Sequence, residues 1–161
     1  MAGVVEDLPG SERDHTIGFD FEGSMPFMQT DVGKVQQIVS NLITNAFKYA
    51  PDATMVTLRG RRVADGVVVS VQDQGLGIPA ELHEQVFERF FQADQSSTRS
   101  NSGVGLGLYI CRKLATAIGG HLWLERSDEQ GSVFSLWIPV TASPESGRGV
   151  ADRPTAGATT A

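Results

Sequence analysis

Residues 67–79 read VVVSVQDQGLGIP, and the alternation in this stretch decides the architecture. Successive side chains of an extended strand face opposite ways, so Val67, Val69, Val71 and Asp73 share one face. The three valines mark that face as the core side and leave Asp73 as a carboxylate at the end of a buried row. An unpaired buried polar group costs about 2–7 kcal/mol, and an ion more, so Asp73 requires hydrogen-bond partners. A planar ligand carrying an exocyclic amine would supply one, and a cap on the following turn would supply another. Gly75 and Gly77 permit the sharp turn and close backbone approach that such a ligand needs.

Just before this strand, Asp65-Gly66 is a two-residue turn signal that makes a hairpin of residues 54–63 and 67–73. Residues 33–50 form the best helix in the chain. Val35, Ile38, Val39, Leu42, Ile43, Ala46 and Phe47 recur at i, i+3, i+4 spacing, Asp31 suits the helix start, and Pro51 follows its end. Residues 15–21 read as a short strand. Residues 79–91 read as a short helix, 92–102 as a polar loop, and 107–118 as a helix stopped by Gly119-Gly120. Residues 121–126 and 132–140 are the last strands. Residues 1–14 read as a linker and 141–161 as a disordered tail, leaving one domain at 15–140. Helices and strands mix without strict β-α-β alternation. The expected fold is therefore an α/β two-layer sandwich, a mixed sheet of about five strands with about three helices on one face.

The chain of 161 residues has a formal net charge of -6, which argues against a nucleic-acid partner. Its one cysteine, Cys111, excludes an intrachain disulfide and fits a reducing compartment. No apolar run reaches the ~20 residues of a membrane span, so no direct membrane contact is expected. Cys111, Trp123 and Trp137 read as packing residues. Arg59, Arg61 and Arg62 read as the solvated edge of the sheet.

Two further clusters carry chemistry. Asn41, Asn45 and Lys48 stand at i, i+4, i+7 on the long helix, with Tyr49 four residues after Asn45. Amide oxygens and a cation on one line suit a hydrated magnesium ion and phosphates, although they also suit a plain solvated face. The segment SGVGLGL, residues 102–108, leaves backbone N–H groups unshielded where a helix begins, a seat for phosphate oxygens. No Gly-Lys-Ser/Thr follows, and Leu108 replaces the third glycine of a dinucleotide fingerprint, so neither familiar phosphate loop applies.

In combination these segments resemble the ATP-binding domain of bacterial sensor histidine kinases, the Bergerat fold shared with DNA gyrase and Hsp90. NLITNAFKYAP resembles the N box, DQGLGIP the G1 box, FERFFQAD the F box and SGVGLGL the G2 box. The resemblance implies that Asn45 ligates magnesium with Asn41 close to the same ion. It implies that Lys48 contacts phosphate and that Tyr49 and Phe91 pack near the nucleotide. Asp73 would accept from the adenine amine, in a pocket shaped by Gly75, Gly77 and Ile78. Gly103, Val104, Gly105, Leu106 and Gly107 would offer backbone contacts to the phosphates, under a mobile lid at 92–102. Asn41, Lys48 and Arg99 would serve the transferring phosphoryl group.

At position 41 the hydrolytic relatives often carry a glutamate that activates water. Asn41 cannot act as a general base at neutral pH, so the pocket suits transfer over hydrolysis. The family's frequent arginine is Gln92 here, with Arg99 as the substitute and Arg89 nearby, and its frequent threonine is Val104. His15, His83 and His121 lie in the wrong segments for a phosphoacceptor. The resemblance therefore implies a separate dimerisation domain carrying the acceptor histidine, a response regulator downstream, and a cytoplasmic site of action. A non-catalytic nucleotide-binding module and an anti-sigma-factor serine kinase of the same fold are the alternatives.

Overall fold

The computed structural model describes residues 16–49, 55–92 and 104–140. The expected linker at 1–14, the tail at 141–161 and the centre of the polar loop lie outside the described residues. In chain order the elements are β1 (Thr16–Phe21), α1 (Val32–Tyr49), β2 (Met55–Val63) and β3 (Gly66–Gln72), followed by two single 3-10 turns at Ala80–Leu82 and Gln85–Phe87. Then come α2 (Gly107–Ala117), β4 (His121–Asp128) and β5 (Gly131–Pro139). The five strands form one mixed sheet in the order β1-β2-β3-β5-β4. Only β1 and β2 run parallel, joined through α1, while the other neighbours are antiparallel. The expected fold class is the one observed.

α1 begins as the sequence dictates. The Asp31 carboxylate accepts the Lys34 backbone N–H at 3.1 Å, capping the first turn. The Lys34 ammonium pairs with the same carboxylate, and these two contacts hold Asp31 below the usual carboxylate range. Ile38, Val39, Leu42, Ile43 and Ala46 turn inward from α1. They meet Val67, Val69 and Val71 of β3 and Leu136 of β5 in one core. Full burial of such side chains stabilises by about 1.5–3 kcal/mol each, so this stripe holds the helix layer on the sheet. The site-bearing ends of α1 and β3 are thereby fixed against each other.

Two local expectations change. Residues 79–91 form two 3-10 turns where one α-helix was expected. Glu88 is extended, with φ -79° and ψ 158°, so an α-helix cannot run through it. Tertiary packing outweighs helical propensity here. Val86 and Phe87 reach the core, and the Phe87 ring meets Phe134 edge-on at 6.1 Å. The second change concerns Arg59, Arg61 and Arg62. β2 is an inner strand as far as Gly60, because β1 pairs along it from Thr16↔Met55 to Phe21↔Gly60. Arg59 therefore lies between two strands and forms an ion pair with Asp20 of β1 at 3.4 Å, while Arg61 and Arg62, past the end of the β1 pairing, pair with β3 alone and keep the expected edge.

The face of the sheet away from the helices carries a polar core of its own. Ser70 and Ser135 share a hydrogen bond at 2.7 Å, and Ser135 donates to the Glu125 carboxylate. Trp123 stacks on His121, ring centres 5.7 Å apart. Cys111 is buried on α2, and burial pushes its thiol from 9.0 up to about 12. The folded chain therefore holds this thiol protonated where the unfolded chain ionises it. Its contribution to stability is full below pH 9.0 and is lost as pH rises towards about 12. Denaturant midpoints of wild type and Cys111→Ala, measured across that range, are expected to converge as pH rises. Parallel curves would refute this.

Candidate nucleotide-binding site

A hollow of about 210 Å³ lies between the C-terminal half of α1 and the end of β3. Asn45 and Tyr49 line it from α1, Asp73, Gly75, Gly77 and Ile78 from β3 and its loop, and Phe91 from the segment after the 3-10 turns. Leu42, Ala46, Val71 and Phe134 make its floor apolar. An apolar cleft with a few convergent polar groups is the general form of a small-molecule site.

Asp73 is only 8% exposed. Its Oδ1 accepts the Gly75 N–H at 2.8 Å and the Ser132 N–H at 3.0 Å. Among the described residues nothing donates to Oδ2. The internal cap foreseen as the alternative thus exists, but it uses one oxygen and leaves the other for a ligand. That is the fit expected for an exocyclic amine. Asp73 was legible from the valine row. The part played by Ser132 was not read, although Ser132, Phe134, Leu136 and Ile138 alternate on β5 in the same way and put a polar residue at the end of an apolar row.

The loop after Asp73 is locked to the β4–β5 turn by two glycines. Gly77 has φ +73°, and a Cβ there would overlap the carbonyl of Asp128. Gly131 has φ +119°, and a Cβ there would overlap the carbonyl of Asp73. Each loop thus occupies the space that a side chain on the other would need. The Ile78 N–H donates to Ser127 Oγ at 2.7 Å, and His83 Nε2 bonds the Ile78 carbonyl at 2.8 Å.

At the other end of the hollow, Asn45 Nδ2 donates to Asn41 Oδ1 at 3.2 Å. This pairing leaves Asn45 Oδ1 without a donor among the described residues. A hard cation takes such an oxygen, though one amide cannot hold magnesium unaided. No group of three or more histidine, cysteine, aspartate or glutamate side chains that could hold a metal occurs among the described residues. The donor set therefore fits magnesium only as a partner of phosphate oxygens.

Asn41 does not line the hollow. It packs against the start of α2, where a Cβ on Gly107 would stand 2.8 Å from Asn41 Oδ1. Lys48 is also outside the lining, exposed, with its ammonium 4.9 Å from the Tyr49 ring centre. Val104, Gly105, Leu106 and Gly107 do not line the hollow, while Leu108, which follows them, does. Gly105 is pinned beside Phe90 and Phe91. Its carbonyl accepts the Phe90 N–H at 2.9 Å, and a Cβ on it would stand 2.7 Å from the Phe91 oxygen. Phe90 adopts φ 62° to make this contact, strained backbone for a bulky residue. Arg89 turns to Tyr109, donating to its hydroxyl at 2.7 Å. Gln92 lines the hollow. Arg99 and Gly103 lie outside the described residues.

Comparison with known proteins agrees with this geometry. Sensor histidine kinase WalK of Bacillus subtilis is 33% identical over 90% of this chain, which spans 24% of WalK. Sensor-like histidine kinase SenX3 of Mycolicibacterium smegmatis is 37% identical over 72% of this chain, which spans 30% of SenX3. Full-length ShkA, solved in complex with AMPPNP, superposes with a TM-score of 0.68 at 29% identity, covering 80% of this chain and 26% of ShkA. The catalytic domain of histidine kinase ThkA, free of nucleotide, superposes with a TM-score of 0.66 at 30% identity, covering 79% of this chain and 80% of that domain. The chain thus spans about a quarter to a third of the curated relatives named here. The family model for histidine kinase-, DNA gyrase B- and HSP90-like ATPases matches residues 30–142. These residues include α1, the hollow and the sheet from β2 to β4, so the chain belongs to the histidine kinase-, DNA gyrase B- and HSP90-like ATPase family, with sensor histidine kinases as its relatives.

Proposed function

We propose that this chain binds ATP with magnesium in the hollow at Asp73 and donates the γ-phosphoryl group to a histidine on a separate dimerisation domain. The observation that carries the reading is the divided carboxylate of Asp73. One oxygen is held by two backbone N–H groups, and the other has no donor among the described residues, on a side chain that lines an apolar cleft. In this reading Oδ2 accepts from the adenine amine, and Gly75, Gly77, Ile78, Tyr49 and Phe91 enclose the purine.

The triphosphate then runs towards α2. The first N–H groups of that helix have no partners within it and favour anions. Gly103, Val104, Gly105, Leu106 and Gly107 present backbone to the phosphates, and Lys48 and Arg99 supply cations. Magnesium, when bound, neutralises phosphate charge, with Asn45 Oδ1 as its protein ligand and Asn41 fixing the Asn45 amide. Positioning and charge neutralisation account for most phosphoryl-transfer catalysis. Asn41 has no basic group with which to activate water, which favours transfer over hydrolysis.

The acceptor lies on another domain. His83 is engaged with the Ile78 carbonyl and His121 with Trp123, which supports a structural part for both. His83 belongs to the loop beside the hollow, and His121 lies on the far face of the sheet. A response regulator takes the phosphoryl group onward, and the setting is the cytoplasm, where ATP is plentiful. Among the described residues no helix is long and apolar enough to cross a membrane.

The test mixes this chain with a cognate dimerisation domain and γ-labelled ATP. Acid-labile label on the histidine of that domain is expected. Asn45→Ala is expected to lower the transfer rate at fixed magnesium by about tenfold, in line with the loss of a metal-site contact. Tight ATP binding with no transfer to that domain would refute the kinase reading and favour a nucleotide-sensing module. Acid-stable phosphoserine on a small partner protein would identify a serine kinase.

A further inference from the structure

We infer that Ser127 is a positioning residue for base recognition, an inference that rests on the nucleotide reading above. Simple alternation along β4 places Leu122 and Leu124 on the helix side and would turn Ser127 to the opposite face. The register shift between Leu124 and Arg126 reverses this and sets Ser127 opposite Ser132, on the side of the hollow. Such irregularities in a ladder re-aim side chains beside functional sites.

Once re-aimed, Ser127 joins two halves of the adenine side. Its Oγ accepts the Ile78 N–H at 2.7 Å. It also shares a hydrogen bond with Ser132 Oγ at 2.9 Å. The hydroxyl has one proton, so donation to Ser132 leaves a lone pair for Ile78 and both contacts are satisfied together. Ser132 in turn donates its N–H to Asp73 Oδ1 at 3.0 Å, beside the Gly75 N–H at 2.8 Å. The bonds therefore form a closed circuit, from Ile78 through Ser127, Ser132 and Asp73 to Gly75 and back along the loop. The circuit adds to the glycine interlock the side-chain link that fixes the Ile78 end of the loop relative to Asp73 Oδ2. Ser127 touches no nucleotide atom. It sets the distance between the carboxylate that reads the 6-amino group and the apolar wall on which the ring rests.

The experiment compares binding of ATP and inosine triphosphate, which carries a 6-oxo group in place of the amine, by calorimetry on the full chain. Wild type, Ser127→Ala, Ser127→Thr and Asp73→Asn are measured, with melting temperatures in parallel. Ser127→Ala is expected to weaken ATP binding about three- to tenfold, the cost of one buried hydrogen bond. Inosine triphosphate binding should change less, so the ATP preference falls. Ser127→Thr keeps the hydroxyl and is expected to restore the preference. A lower melting temperature for Ser127→Ala with an unchanged preference would show a merely structural serine and overturn the inference, leaving the nucleotide reading intact. A wild type that binds both nucleotides alike, with Asp73→Asn equal to it, would overturn both.

Discussion

Asp73→Asn is expected to weaken binding of a non-hydrolysable ATP analogue by about 10- to 100-fold while leaving the fold nearly as stable as wild type. The two effects separate because the two carboxylate oxygens do different work. The asparagine oxygen can still accept from Gly75 and Ser132, so the loop stays closed. The amide nitrogen then takes the place of Oδ2 and points a donor at a donor. A hydrogen bond to a charged group contributes about 1.5–3 kcal/mol, which sets the expected loss. Inosine triphosphate offers an acceptor at the same position, so its binding should fall less or improve. Calorimetry with both nucleotides decides the matter, and ATP-analogue affinity within twofold of wild type would remove Asp73 from base recognition. Asp73→Ala makes a useful contrast. It orphans the Gly75 and Ser132 N–H groups and is expected to lower the melting temperature as well.

Alanine at Gly77 or Gly131 is expected to cost about 2–5 kcal/mol of stability and to abolish nucleotide binding at ordinary concentrations. A left-handed backbone costs a residue with a Cβ about 1–2 kcal/mol, and overlap with a neighbour adds about 1–3 kcal/mol. At either position the neighbour is main chain, the carbonyl of Asp128 or of Asp73, and it cannot rotate away. For a domain of this size the melting temperature should fall by roughly 10 °C. Gly23 supplies the control. It has φ +65°, and a Cβ there would meet nothing within 4 Å, so Gly23→Ala should show the backbone cost alone. Thermal melts of the three variants separate the contributions, and equal shifts for all three would refute the interlocked-loop account.

Much of this site can be read from periodicity. The row Val67, Val69, Val71, Asp73 named the buried acid, and helical spacing brought Asn45 and Tyr49 to the same wall. Both inferences rest on local geometry, which depends on a few residues at a time. What alternation could not deliver depended on breaks in regularity or on distant pairing. Ser127 was hidden because one register shift in β4 inverts the face of every later residue. Arg59 looked like an edge residue because the parallel partner of β2 lies across the whole of α1 in sequence. Residues 79–91 looked helical because their apolar spacing fits a helix, whereas Glu88 is extended and Phe90 left-handed to place Phe91 beside Gly105. Lys48 shares the helical stripe of Asn45 yet stands beyond the rim, where its ammonium lies over the ring of Tyr49.

The sealed thiol of Cys111 has a practical corollary. It is the only sulfhydryl in the chain and sits beneath α1 with its proton retained. A pair of cysteines introduced at exposed positions, such as Leu76 in the loop after Asp73 and Val104 just before α2, would take fluorescent dyes with almost no background labelling. Energy transfer between the two dyes would then report the separation of these two loops in single molecules as nucleotide is added and removed.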